Sequence, residues 1–149
     1  MNAQAEVDMN AENTLVIKRT FAASAARVYA AWTDGDLLAQ WMGPGEIKVT
    51  NAEADPRVGG EYIIAMVNPE GGMHTATGTY EEVVPNEKLV FNWTWADVEE
   101  VTRVTIELRE SGENETELTL THTGFAEADV RDHHEQGWNA CMDKLPAAI

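Results

Sequence analysis

Six segments that alternate apolar and polar residues occupy residues 47 to 123, and they restrict the fold more than any other feature of the chain. Alternation of this kind is typical of β-strands with one buried face. The predicted strands are Ile47–Ala54, Glu61–Val67, His74–Val84, Leu89–Trp95, Val101–Arg109 and Glu115–Thr123. Short turn sequences rich in Gly, Pro and Asn separate nearly all of them, and such short connections join antiparallel strands. The pattern therefore predicts one antiparallel sheet.

Helical patterns flank these six segments. A further strand, Thr14–Phe21, comes first, and two short helices follow it, with candidate N-caps at Ser24 and Asp34. After the last strand, Gly124–Leu145 carries apolar residues at helical spacing. Gly137 lies on its apolar stripe, and we interpret it as a point where the helix backbone approaches the sheet closely. The order β-α-α-β6-α predicts an α+β fold in which a curled sheet of about seven strands holds one long helix.

Composition restricts the class of protein and of partner. We expect residues 1–12 to be a disordered polar leader, because they lack the regions of a signal peptide, and residues 13–149 to form one domain. Acidic residues outnumber basic ones 26 to 10, for a net charge of −16, which disfavours nucleic acid and anionic membranes as partners. No apolar run reaches the roughly 18 residues of a membrane helix. With a single cysteine, these features predict a cytoplasmic protein, and we expect a monomer or a weak dimer.

Several motifs occur in the order of one known family. They are Val28–Asp34, Leu38–Pro44, Asp55–Tyr62, Gly78–Phe91 with Trp93, Leu120–Phe125 and His134–Trp138. Together they resemble the Hsp90 ATPase activator homologue family in its single-domain bacterial form, within the START-like (SRPBCC) helix-grip superfamily of the birch-pollen allergen type. Two positions depart from the family pattern: Met42 replaces the second of a pair of tryptophans, and Pro146 ends the last helix early.

The resemblance implies a hollow interior between the sheet and the long helix. The candidate lining residues are Tyr62, Ile64, Met66, Tyr80, Phe91, Trp93, His134, Trp138 and Cys141. A set rich in aromatic residues, with a few polar tips, suits an apolar small molecule held by one or two hydrogen bonds. The same residues also suit a packed core, and both alternatives stay open at the level of sequence.

Three functions follow from these expectations. The first is a binding module for a small hydrophobic molecule, such as a lipid, a flavonoid or a polyketide-like compound. The second is a chaperone-accessory role with a protein partner, which the family name implies. The third, less favoured, is a cyclase or hydrolase, for which His134 and Glu82 are the candidate acid–base pair.

Other reactive side chains show no pattern of a catalytic or metal site. The histidine and cysteine spacing matches no metal motif, and the paired glycines precede no lysine-bearing helix. We therefore expect no metal and no cofactor, and we assign no catalytic residue. His122 is expected to be structural and His133 to face solvent.

Overall fold

The structure, a computed structural model, describes residues 13–96 and 98–149, so the predicted leader at residues 1–12 lies outside the described part of the chain. The strands are β1 (Leu15–Phe21), β2 (Lys48–Ala54), β3 (Glu61–Val67), β4 (Met73–Val84), β5 (Lys88–Trp95), β6 (Thr102–Gly112) and β7 (Glu115–Thr123). The α-helices are α1 (Ala25–Thr33), α2 (Gly35–Trp41) and α3 (Ala128–Lys144), and a 3₁₀ helix, Leu145–Ala148, follows α3.

The seven strands form one antiparallel sheet in the order β1-β7-β6-β5-β4-β3-β2. The register shifts at Val49/Asn51, at Tyr80/Glu82 and at Glu110/Gly112. Shifts of this kind bend a strand and increase its twist, which curves the sheet. The result is a curved half-barrel with the long helix α3, and it confirms the predicted α+β helix-grip fold.

The two short helices begin where their capping residues predict. The Ser24 hydroxyl accepts a hydrogen bond from the backbone N–H of Arg27 at 3.3 Å. The Asp34 carboxylate accepts from the backbone N–H groups of Asp36 and Leu37, at 2.8 and 3.3 Å. Each side chain satisfies N–H groups that have no partner inside the helix. Both N-cap predictions are confirmed.

Two features of the last helix differ from the sequence prediction. The helix begins at Ala128 rather than Gly124, because Gly124 has a φ of +97°, a left-handed conformation that no α-helix contains. Gly137 does not mediate a close approach either. A Cβ atom placed on Gly137 would meet no atom within 4 Å, so the missing side chain leaves open space.

A close approach does occur at Gly78 in β4. Gly78 pairs with Tyr62 across β3 and β4, and a Cβ on it would lie 2.6 Å from Cε2 of Tyr62 and overlap the main-chain oxygen of Asn92. The space left by the glycine admits the Tyr62 ring, whose hydroxyl donates to that same oxygen at 2.7 Å. Gly78 therefore allows the side chain of one strand to bond the backbone of another.

Replacing Gly78 with alanine tests this contact. We expect Gly78→Ala to lower the free energy of unfolding by about 2–3 kcal/mol, because the added methyl group overlaps main-chain atoms of β5 that cannot move independently. Urea unfolding followed by tryptophan fluorescence measures the change. Gly137→Ala is the matched control and should not destabilise the protein. Equal stabilities of the two variants would contradict this account.

Candidate ligand-binding site

A buried chain of hydrogen bonds joins helix α3 to the middle of the sheet. The indole N–H of Trp138 donates to His122 Nδ1 at 3.0 Å. Because an indole nitrogen only donates, Nδ1 accepts, and the neutral ring carries its proton on Nε2. Nε2 lies 2.6 Å from the Thr102 hydroxyl, which donates in turn to the main-chain oxygen of Trp93 at 3.2 Å. We call this chain, Trp138–His122–Thr102–Trp93, the buried relay.

Burial keeps His122 neutral. Its side chain has no solvent exposure, and this burial, with a smaller contribution from the neighbouring His134, lowers its pKa to about 2. A protonated ring would have to donate from Nδ1, where it now accepts from Trp138. His122 therefore acts as a neutral connector that holds Trp138 and the backbone of Trp93 in place.

A second link joins the same helix to the end of β5. The Nδ1 atom of His134 lies 2.8 Å from the main-chain oxygen of Val130 and therefore carries the proton, while Nε2 accepts from the indole N–H of Trp95 at 2.9 Å. Burial lowers the pKa of His134, and the Phe125 ring lies 4.8 Å away, centroid to centroid. Both ring nitrogens are thus occupied by bonds within the protein.

An open cavity of about 250 Å³ lies beside these two links, between the sheet and α3. Its lining residues are Met42, Pro44, Ile47, Met66, His74, Trp93, Trp95, His133, His134, Gly137, Trp138 and Cys141. Among the described residues that line it, none is Asp, Glu, Lys or Arg. A cavity of about 150 Å³ holds benzene, so this one has room for a larger, two-ring molecule.

The structure divides the residues predicted to line a cavity into two groups. Met66, Trp93, His134, Trp138 and Cys141 line the open cavity. Tyr62, Ile64, Tyr80 and Phe91 lie deeper, around an inner void of only about 10 Å³ that Trp32, Leu38, Met42 and Trp93 complete. The sequence leaves two alternatives open, a packed core and a hollow interior. The structure contains both, because the deeper group of residues belongs to the packed core and the other group lines the open cavity.

Seven residues that line the cavity are not among the predicted ones, and a sequence pattern could have identified only some of them. Trp95 shares the inward face of β5 with Phe91 and Trp93, so strand alternation was sufficient to find it. His74 faces Met66 across the β3–β4 pair, which becomes visible only once the register is known. Pro44 and Ile47 lie between α2 and β2, because β2 begins at Lys48, one residue after the predicted strand start at Ile47. The sequence predicts a close contact between helix and sheet at Gly137, but this residue lines open space instead. Met42 and His133 complete the set.

Cys141 lines the cavity but is not activated as a nucleophile. Its thiol donates to the main-chain oxygen of Met42 at 2.7 Å. Burial raises the pKa of this thiol to about 12. The reactive thiolate is therefore absent at neutral pH, and Cys141 serves to fix the backbone at Met42.

In the part of the chain that the structure describes, two buried indole nitrogens have no hydrogen-bond partner. They are the Nε1 atoms of Trp32 and Trp93, whose side chains are 3 % and 4 % exposed. A buried donor without an acceptor costs about 1–3 kcal/mol. Both residues line the inner void, and Trp93 also lines the open cavity.

The acid–base pair considered at the level of sequence is not assembled. Glu82 is exposed at the surface, next to the register shift in β4, and its carboxylate lies 3.5 Å from the Lys88 ammonium. His134 lines the cavity, yet Trp95 occupies its accepting nitrogen.

Within residues 13–96 and 98–149, no group of three or more His, Cys, Asp or Glu side chains could hold a metal ion. No helix of this part of the chain is long and apolar enough to span a membrane.

A curved antiparallel sheet with a long helix and a cavity between them defines a helix-grip protein. The sequence model described as "Activator of Hsp90 ATPase homolog 1-like protein" matches residues 22–149. The chain therefore belongs to this family. A search of curated proteins gives no match.

Solved structures of similar chains agree with this assignment. A protein from Chromobacterium violaceum is 28% identical and superposes with a TM-score of 0.83, over 91% of this chain and 95% of the other. The AHSA1 protein of Silicibacter pomeroyi is also 28% identical, with a TM-score of 0.80, over 90% and 95% of the two chains. A Plasmodium falciparum protein described as an HSP90 activator is 23% identical, with a TM-score of 0.72, over 90% and 94%, and shares the fold.

The neutral state of His122 predicts how stability depends on pH. Its pKa is about 2 in the folded protein and about 6.5 in the unfolded chain, so the unfolded state binds the extra proton between these values. Stability is full above pH 6.5 and falls as the pH is lowered. From pH 7 to pH 5 we expect the free energy of unfolding to drop by about 2 kcal/mol, with His134 adding to the loss.

Urea unfolding at the two pH values measures this drop. The variant Gln136→Leu, which changes an exposed residue of the same helix and no titratable group, should show the same dependence. An unfolding free energy that is constant from pH 7 to pH 5 would contradict the neutral, buried state of His122.

Proposed function

We propose that the chain is a binding module for a small, uncharged hydrophobic molecule, held between the sheet and α3. The observation that carries this proposal is the cavity itself. It is open to solvent, and its lining has three indoles, two thioethers and, among the described residues, no Asp, Glu, Lys or Arg. Aromatic and aliphatic walls with a few polar groups are typical of small-molecule sites.

The arrangement around the cavity supports a permanent space rather than a gap in packing. The buried relay fixes Trp138 and the backbone of Trp93, and the His134–Trp95 bond fixes a second part of the wall. Gly137 lies between His134 and Trp138 on the helix and contributes no side chain that could fill the space. A cavity with pre-formed walls does not require a ligand to order the side chains that bind it.

Filling the cavity from Gly137 tests the proposal without weakening the protein. The neutral fluorescent probe N-phenyl-1-naphthylamine should bind the wild-type chain. Gly137→Leu should weaken this binding at least about tenfold, because the new side chain occupies the space of the ligand, and Gly137→Ala should have a smaller effect. Both changes should raise helix stability by up to about 1 kcal/mol, since glycine is a poor helix former.

The control for this experiment is Gln136→Leu, which adds the same side chain to an exposed position of α3. It should leave the affinity for the probe unchanged. Fluorescence titration gives the affinities, and thermal unfolding confirms that the variants are folded. Binding of equal strength to wild type and Gly137→Leu would overturn the cavity as the site, and no binding to wild type by any of a broad set of lipids, flavonoids and polyketides would overturn the function.

The family match favours a second candidate function, an accessory role for the Hsp90 chaperone. If the chain acts in this way, adding it to a purified Hsp90-type chaperone should increase the rate of ATP hydrolysis. Gly137→Leu separates the two candidate functions, because it changes the cavity and leaves the surface of the protein intact. It should weaken ligand binding and leave any effect on the ATPase rate unchanged. An ATPase rate that does not respond to the chain would remove this candidate.

A further inference from the structure

The open cavity and the inner void share two wall residues. Met42 and Trp93 line both spaces, so they form the partition between them. The inner void measures about 10 Å³, which is close to the space that one water-sized atom needs. The Met42 side chain and the Trp93 ring therefore separate a molecule in the open cavity from the inner void, which has room for about one atom.

The inner void is lined by two indoles that lack a hydrogen-bond acceptor. Among the residues that the structure describes, the Nε1 atoms of Trp32 and Trp93 are buried without a partner. An indole N–H can only donate, so a ligand that satisfies these groups has to bring an acceptor. The other two indoles of the cavity, Trp95 and Trp138, already donate to His134 and His122. Among the described residues that line the two spaces, the demand for an acceptor is thus specific to Trp32 and Trp93.

The partition contains one flexible side chain next to a fixed backbone. The main-chain oxygen of Met42 is held by the Cys141 thiol at 2.7 Å, which ties the end of α2 to α3. The Met42 side chain is unbranched and has three rotatable bonds, so it adapts its shape at low cost. A rotation of Met42 is therefore the movement by which we infer that the inner void joins the open cavity.

We propose that the two spaces form one binding site, and that its ligand is a neutral, flat, apolar molecule whose inserted end carries an oxygen acceptor, such as a ketone carbonyl, bonded by the indole N–H groups of Trp32 and Trp93. This inference rests on the proposed binding function and adds the chemical class of the ligand. The three indoles favour a flat molecule. The absence of Asp, Glu, Lys and Arg from the lining, among the described residues, favours a neutral one.

A pair of ligands of the same shape tests the inference. 2-Acetylnaphthalene carries a carbonyl oxygen where 2-isopropenylnaphthalene carries a methylene group. The ketone should bind the wild-type chain about tenfold more tightly, a difference of ~1.4 kcal/mol. In ¹⁵N-correlated NMR spectra, the indole N–H signals of Trp32 and Trp93 should move to higher proton frequency with the ketone and not with the hydrocarbon.

Two tryptophan variants form a matched control. Trp93→Phe removes an unpartnered donor and should reduce the tenfold preference for the ketone to about threefold or less. Trp95→Phe removes an indole that lines the same cavity but already has an acceptor, and it should keep the preference. The wild-type NMR experiment decides the question even if Trp93→Phe does not fold.

Two outcomes would overturn the inference and leave the proposed function standing. In the first, the ketone and the hydrocarbon bind equally and the Trp32 and Trp93 signals do not differ between them, as they would if a fixed water filled the inner void. In the second, neither naphthalene binds although N-phenyl-1-naphthylamine does. Failure of that probe and of the broader ligand set is the separate result that overturns the proposed function.

Discussion

The rest of the structure depends on the buried relay that runs from Trp138 through His122 and Thr102 to the backbone of Trp93. It connects α3 to β7, β6 and β5 by polar bonds inside an apolar interior. Such bonds are strong where water is excluded, and removing one member leaves its neighbours buried without partners. The relay therefore fixes the position of the helix relative to the sheet much more narrowly than hydrophobic contact alone, which has no preferred direction.

Further bonds hold the helix along its length and leave one part of its face free. His134 meets Trp95 near the start of α3, and the Lys144 ammonium at its end donates to the main-chain oxygen of Gly45 at 2.6 Å. Cys141 bonds the backbone of Met42. Gly137 itself, between these contacts, has no side chain to fill the space beside it. The cavity exists because the helix is fixed at both ends and lacks a side chain in the middle.

The net charge and the cavity bear on different classes of partner. A net charge of −16 acts on encounters with other macromolecules and disfavours anionic ones. The cavity presents indoles and thioethers, which suit the small apolar ligand that we propose. Relatives that share the fold at 28% identity need not share the proposed ligand, because fold alone does not determine function.

The sequence by itself determined the fold and the family. Strand alternation and short turns specified one antiparallel sheet, side-chain caps at Ser24 and Asp34 set the starts of the short helices, and the ordered motifs identified the family. These features are local, so they can be read along the chain. The helix start was misplaced because the left-handed conformation of Gly124 does not interrupt the apolar periodicity.

Only the tertiary structure decided which aromatic residues are core and which line a cavity. Tyr62 and Met66 have the same alternation on one strand, yet Tyr62 packs around the inner void and Met66 faces the open cavity. Similarly, nothing in the sequence near Gly137 shows whether the helix backbone contacts the sheet there or borders open space. Whether a space is filled depends on residues from several elements meeting at one point, and the hydrogen bonds of the relay, which join positions distant in the chain, set where they meet.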